Sequence, residues 1–259
     1  MSHELSEPIR TTMLALTQCL REALGERLLG VYLGGSASMG EFSETASDLD
    51  FLVVTDGKLT PQEHDTISAI HDQMRRDTPL GDRLEGDYAP RQLLVPEGTL
   101  APVPGCWNGQ FHANVSEIML SADNLFNMQE HGITFFGPAP GDLLPHVTPD
   151  HVWAAVREML DDGPGTSETP QQAASEVLNL VRSLCALESG MPTTKETGAR
   201  WALDHLAGRW HPVIRAALAV RAGHATDADN ALVCRQLGGM YQTLWPPAAP
   251  GSTQSTEQA

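Results

Sequence analysis

The fold is decided by residues 29–55, LGVYLGGSASMGEFSETASDLDFLVVT. They begin inside an apolar run, Leu28-Leu29-Gly30-Val31-Tyr32-Leu33, whose length and β-branched and aromatic content predict a buried strand. The run breaks at Gly34-Gly35-Ser36. Two glycines let the backbone turn sharply and approach a ligand closely, and Ser36 suits the N-cap of a short helix reaching Met39. Successive N–H groups and a hydroxyl at a helix start form a phosphate cradle. Twelve residues after Ser36 comes Asp48-Leu49-Asp50, leading into Phe51-Leu52-Val53-Val54. With this second run also a strand, alternation sets Asp48 and Asp50 on one face. Two carboxylates side by side repel unless a cation lies between them. Oxygen-only ligation of that kind suits Mg²⁺ shared with substrate phosphates. A Gly-Gly-Ser alone is usually a turn, and Asp-x-Asp alone is often a solvated strand end. At this spacing, between two apolar strands, they specify phosphate and metal together.

Gly35-Ser36 followed by Asp48-x-Asp50 resembles the nucleotidyltransferase superfamily that includes DNA polymerase beta and the antibiotic nucleotidyltransferases. The resemblance implies that Gly35 and Ser36 contact the triphosphate of ATP. It likewise implies that Asp48 and Asp50 hold Mg²⁺ on that nucleotide.

A chain of 259 residues can bury a full core and carry one or two domains. Its 33 acidic against 16 basic residues, a formal net charge of −17, argue against a nucleic-acid surface, which needs clustered Lys and Arg. The balance is compatible with a cationic small-molecule acceptor, and equally with an ordinary acidic cytoplasmic protein. The four cysteines show no Cys-x-x-Cys spacing and the ten histidines no metal-ligand spacing, so no zinc site is expected. Without a signal peptide or a membrane-length apolar run, the chain reads as cytoplasmic, with no membrane partner. A monomer is expected.

Apolar residues at helical spacing (Ile9, Met13, Leu16, Leu20, Leu24) predict an amphipathic helix over residues 7–24. Thr60-Pro61 starts a second helix carrying Ile67, Ile70 and Met74. Residues 82–88 read as a third strand, with Leu84, Gly86 and Tyr88 opposite Arg83, Glu85 and Asp87. Residues 89–110, rich in Pro and Gly, are expected to contain loops and turns. Strand-like stretches at 111–121 and 132–136 flank a helix near 122–130. After Pro138-Ala139-Pro140-Gly141 the composition becomes helical, with starts at Thr148-Pro149, Thr169-Pro170 and Thr194 and two more helices at 210–222 and 228–244. The fold class expected is therefore an α/β (α+β) nucleotidyltransferase domain with a small mixed sheet over residues 1–145. An all-α helical bundle domain follows over 146–245, and 246–259 is a disordered tail.

The helical part narrows the resemblance. Residues 177–222, VLNLVRSLCALESGMPTTKETGARWALDHLAGRWHPVIRAALAVRA, are similar to the C-terminal domain of the aminoglycoside adenylyltransferases that modify streptomycin and spectinomycin. The runs EHGITFFGPAP at 130–140 and Leu84-Glu85-Gly86-Asp87-Tyr88 are similar to that family too. The resemblance implies that Glu85 is the general base for the acceptor hydroxyl. It makes Arg182 and Lys195 cations for the triphosphate tail, and sets Trp107 near the antibiotic.

The residues themselves say less. Glu85 extends the acidic face of Asp48 and Asp50, but Asp87 faces the same way and is its rival. Arg182 lies among Leu178, Val181 and Leu184, where a cation needs a partner; phosphate or a salt bridge to Glu176 or Glu188 would serve. Lys195 stands in the first turn of its helix, against the macrodipole, as an anion-binding or a surface lysine. Trp153, Trp201 and Trp210 fall at apolar positions of helices and read as core.

One segment departs from the streptomycin-modifying pattern. Residues 161–168, DDGPGTSE, contain no aromatic residue, and Glu168 stands in for one of the acids expected there. Asp87 and Glu168 would still favour a cationic ligand. The function expected is Mg²⁺-dependent transfer of AMP from ATP to an aminocyclitol hydroxyl, with spectinomycin-like acceptors favoured over streptomycin. A protein acceptor, as in antitoxin-type nucleotidyltransferases, and a nucleotide sensor without turnover are the alternatives. Fusion to a helical domain speaks against the first, and a complete set of Asp48, Asp50 and Glu85 against the second.

Overall fold

A computed structural model of the chain describes residues 5–43, 47–98, 101–115, 120–165 and 167–245. The expected disordered tail at 246–259 lies outside them. The chain divides into two compact units, Met1–Ala155 and Val156–Ala259.

The first unit opens with α1 (Glu7–Leu24), β1 (Leu28–Leu33), the short α2 (Gly35–Ser38) and β2 (Leu49–Thr55). The helix α3 (Pro61–Asp77) then leads to β3 (Leu84–Pro90), β4 (Val103–Trp107) and β5 (Gln110–Val115). α4 (Ala122–His131), β6 (Ile133–Phe136) and α5 (Pro140–Leu143) follow. The strands form one sheet in the order β5-β4-β3-β2-β1-β6. Among the described residues only β2 and β3 pair in parallel, which the α3 crossover makes possible; the other neighbours are antiparallel.

Alternation sorts the sheet into two faces. Val31, Leu33, Phe51, Val53, Leu84 and Tyr88 pack in one buried cluster with Met13, Leu16 and Leu20 of α1 and Ile67 and Met74 of α3. The cluster also holds a buried polar chain. The Cys106 thiol donates to the Leu84 carbonyl at 3.2 Å, and its sulfur lies 3.3 Å from Nδ1 of His71, whose Nε2 stands 2.6 Å from the Tyr88 hydroxyl. With the thiol proton on Leu84, Nδ1–H donates to sulfur and Nε2 accepts from tyrosine. Burial lowers the His71 pKa to about 4. Asp50, Leu52, Glu85 and Asp87 belong to the opposite face of the sheet.

Thr60 starts α3 with a full capping box: Glu63 N–H donates to its hydroxyl and its own N–H donates to the Glu63 carboxylate. The same carboxylate takes both bonds of Arg27 Nη1, each at 2.7 Å. Thr60 and Arg27 together lower the Glu63 pKa against the effect of its burial.

β4 lies within the Pro- and Gly-rich stretch 89–110, where no strand is expected by name. Its Pro104 falls between Val103 and Gly105, where the register with β5 shifts and no ladder pair is made, so the missing N–H costs no bond there.

The helix α6 (Pro149–Asp162) contains the division between units, and the second unit continues with α7 (Pro170–Ser189), α8 (Lys195–His205), α9 (His211–Arg221) and α10 (Asp227–Leu244). Threonine hydroxyls cap α7, α8 and α10, at Thr169, Thr194 and Thr226. The buried face of α7 carries Val177, Leu178, Leu180 and Val181, and α7 ends at Gly190 in the left-handed region, φ 77°. Of the tryptophans read as core, Trp210 is buried; Trp153 and Trp201 are half-buried. Among the described residues no helix is long and apolar enough to cross a membrane.

Candidate active site

The site begins where β1 ends. Gly34 N–H donates to the Asp50 carbonyl at 2.9 Å, so the turn out of β1 is stitched to the start of β2. Gly35 follows with φ 57°, a conformation glycine adopts without cost. The N-cap of α2 is Gly34, with no side-chain bond, so Ser36 falls inside the first turn. The glycine pair turns the chain two residues earlier than a cap at Ser36 would. The Ser38 hydroxyl closes the turn by donating to the Gly35 carbonyl at 2.9 Å.

Asp48 is exposed and directly precedes β2; Asp50 is half-buried, the second residue of the strand. The parallel register sets Asp50 beside Glu85 and Leu52 beside Asp87. Glu85 is half-buried, whereas Asp87 is only 1 % exposed. The two rival carboxylates therefore differ: one is half-buried beside Asp50, the other is buried beside Leu52. Arg83 Nη1 donates to the Ser47 carbonyl at 3.3 Å, and the Ser43 N–H donates to the Ser47 hydroxyl at 3.0 Å. Continued one step back from Leu49 and Leu84, the register aligns Arg83 with Asp48. The sequence reading missed this tether.

Trp107 closes β4 and is half-buried. Gly86 pairs with Cys106 and Asp87 with Gly105, so one further antiparallel step aligns Glu85 with Trp107. The exposed His112 of β5, a second residue the sequence reading passed over, brings its ring centroid to 5.3 Å from that of Trp107.

Among the described residues no group of three or more His, Cys, Asp or Glu side chains could hold a metal ion. Mg²⁺ does not need such a cage, since it keeps waters and binds through one or two carboxylates plus substrate phosphates. Asp48 and Asp50 beside a glycine turn are a donor set of that kind. A Cβ on Gly35 would fill the space against the Asp50 carboxylate.

Three further expected site residues belong to the second unit. Arg182, half-buried on α7, makes no ion pair or side-chain hydrogen bond among the described residues. Lys195, in the first turn of α8, donates from Nζ to the Ser175 hydroxyl at 2.7 Å. Glu168 is exposed, with its N–H donated to Gln172 at 2.9 Å. The segment without an aromatic residue of its own receives one from the end of α10: the Trp245 indole N–H donates to Asp161 at 2.8 Å.

Two family models match the chain, in order and without overlap. The nucleotidyltransferase domain matches residues 16–80, which include Gly35, Ser36, Asp48 and Asp50. The aminoglycoside adenylyltransferase C-terminal domain matches residues 142–235, which include Glu168, Arg182 and Lys195. Neither match reaches Glu85, Asp87 or Trp107. No curated protein sequence matches the chain. Among solved structures, the chain is similar to the spectinomycin adenyltransferase AAD(9) from Enterococcus faecialis, crystallised with ATP and spectinomycin. The TM-score is 0.66 over 90 % of this chain and 99 % of that one, at 19 % identity, a likeness of fold.

Proposed function

We propose, from the premise that this chain belongs to the aminoglycoside adenylyltransferase family of the nucleotidyltransferase superfamily, that it transfers AMP from ATP to an antibiotic hydroxyl. The observation that carries the proposal is the parallel pairing of Asp50 with Glu85 beside the Gly34-Gly35 turn. It sets the turn, the Asp50 carboxylate and the Glu85 carboxylate on neighbouring strands of one sheet, which supports reading them as phosphate cradle, metal ligand and base.

The Glu85 carboxylate takes the proton of the acceptor hydroxyl, and the freed oxygen attacks the α-phosphorus of ATP. The bond from that phosphorus to the bridging oxygen breaks, and pyrophosphate leaves. The N–H groups of the turn and the Ser36 hydroxyl orient the phosphates. Asp48 and Asp50 would hold Mg²⁺, which when bound neutralises charge on the nucleotide and the leaving group. Arg182 and Lys195 are assigned to the triphosphate tail on the family resemblance. Trp107, aligned with Glu85, would pack on the acceptor.

The acceptor proposed is a compact cationic aminocyclitol such as spectinomycin, the ligand of the similar AAD(9) structure. Streptomycin is the poorer candidate, because the Asp161–Glu168 segment holds no aromatic residue of its own to pack on it. Incubation with ATP, Mg²⁺ and an antibiotic panel, followed by mass spectrometry, tests the reading. Gain of AMP by spectinomycin is expected. Gain by streptomycin alone overturns the acceptor, and no gain by any compound overturns the function.

A further inference from the structure

The helices α7 and α8 approach each other more closely than a side chain at position 198 would permit. A Cβ on Gly198 would lie 2.4 Å from the Arg182 Cα and 2.8 Å from its N and Cβ. Main-chain atoms of a helix cannot swing aside, so this contact exists only with glycine. Glycine weakens a helix interior relative to alanine, and its place here is explained by the approach. The buried face of α8 continues with Ala199 and Ala202.

What the approach positions is polar. Lys195 lies one turn before Gly198 on the same helix face. Its ammonium donates to the Ser175 hydroxyl at 2.7 Å, so α8 meets α7 at Arg182 through Gly198 and at Ser175 through Lys195. Ser175, Asn179 and Arg182 recur at intervals of four and three on α7 and form one line. The Asn179 carbamoyl oxygen on that line is buried without a hydrogen-bond partner among the described residues. Arg182 is half-buried and forms no ion pair among them. Two cations and an unsatisfied amide thus share a face whose dimensions one glycine sets.

We infer that Gly198 and Ser175 are positioning residues for Lys195 and Arg182, the two cations assigned above to the triphosphate tail. The inference rests on the proposed role of those two cations. Gly198 fixes the distance between the helices; Ser175 fixes the direction of the lysine. With alanine at 198, α8 must move off α7 and carry Lys195 with it.

Titration calorimetry of the full-length protein with Mg-ATP and with inorganic tripolyphosphate tests this. Lys195→Ala and Arg182→Ala should weaken both ligands by roughly 10- to 100-fold, the range for charge-assisted bonds. Gly198→Ala and Ser175→Ala should weaken both by roughly 5- to 20-fold. These two should raise KM for ATP while leaving KM for the acceptor and kcat at saturating ATP in place. Ser175→Thr, which keeps the hydroxyl, should restore affinity; a packing defect would not be relieved by the larger side chain. The Ser175 variants decide the matter even where Gly198→Ala melts early. Parental affinity in Ser175→Ala, with loss in Lys195→Ala and Arg182→Ala, overturns the positioning roles alone. Parental affinity in all four overturns the assignment of the cations.

Discussion

Gly35 and Asp50 leave no room for one carbon atom between them: a Cβ on Gly35 would stand 1.8 Å from Oδ2 of Asp50 and 2.4 Å from its Cγ. The same glycine has φ 57°. Backbone conformation and close approach therefore demand glycine independently. Gly35→Ala should lower stability by about 1–2 kcal/mol from the left-handed conformation alone. Displacement of the Asp50 carboxylate should cut turnover by about 100-fold, the usual result of a misplacement near 1 Å. Urea denaturation and steady-state kinetics on the purified variant measure the two effects. Unchanged kinetics would mean that Asp50 is not held where the reaction needs it.

Asp48→Asn and Asp50→Asn should each abolish Mg²⁺-dependent transfer while the fold persists. In metal-free buffer the melting temperature should hold or rise, since an acidic pair without a cation is repulsive. Retention of more than about 5 % of the activity in either variant, against the far larger losses expected for a Lewis-acid site, would refute the metal role.

Glu85→Gln should lower kcat by roughly 10²–10⁴-fold with ATP affinity intact, because a general base acts on the acceptor. Asp87→Asn is the matched control. With Asp87 only 1 % exposed, its loss should register in stability before turnover. A folded but inactive Asp87→Asn beside an active Glu85→Gln would transfer the base to Asp87.

Stability should fall in mild acid because of His71. Its folded pKa, about 4, lies below the ordinary 6.5, since burial disfavours the imidazolium. Between those values the unfolded chain binds a proton that the folded chain refuses, so stability rises with pH across the window. The contribution is complete above pH 6.5 and is lost as pH falls towards 4, roughly 3 kcal/mol in all. Urea midpoints at pH 7 and pH 5 should differ in the parent and differ less in His71→Phe. An equal pH slope in both proteins would remove His71 as its source.

Local signals survived the passage from sequence to structure best. Thr60, Thr169 and Thr194 announce their helices because a hydroxyl before a Pro or an acidic turn acts within four residues, independent of the rest of the fold. The two apolar runs around Gly34-Gly35 likewise read directly as β1 and β2. Pairing was not legible. Alternation sets Glu85 and Asp87 on one face and cannot rank them; only the register of β3 against β2 separates the neighbour of Asp50 from the neighbour of Leu52. β4 was hidden by Pro104, whose position at a register shift depends on a partner strand. The chain from Tyr88 through His71 to Cys106 joins three elements, so no spacing in the sequence could reveal it.

The parallel pairing of β2 with β3 also bears on the order in which the molecule should assemble. β1 and β2 are antiparallel and joined by residues 34–48, whereas β3 can join β2 only after the longer stretch 56–83, which holds all of α3. Closing the longer loop is the slower event. The glycine turn and the aspartates should therefore come together first, with Glu85 following at the crossover. Substitutions that weaken α3, such as loss of the Glu63 carboxylate shared by Thr60 and Arg27, should delay the appearance of activity on refolding more than the appearance of the β1–β2 hairpin.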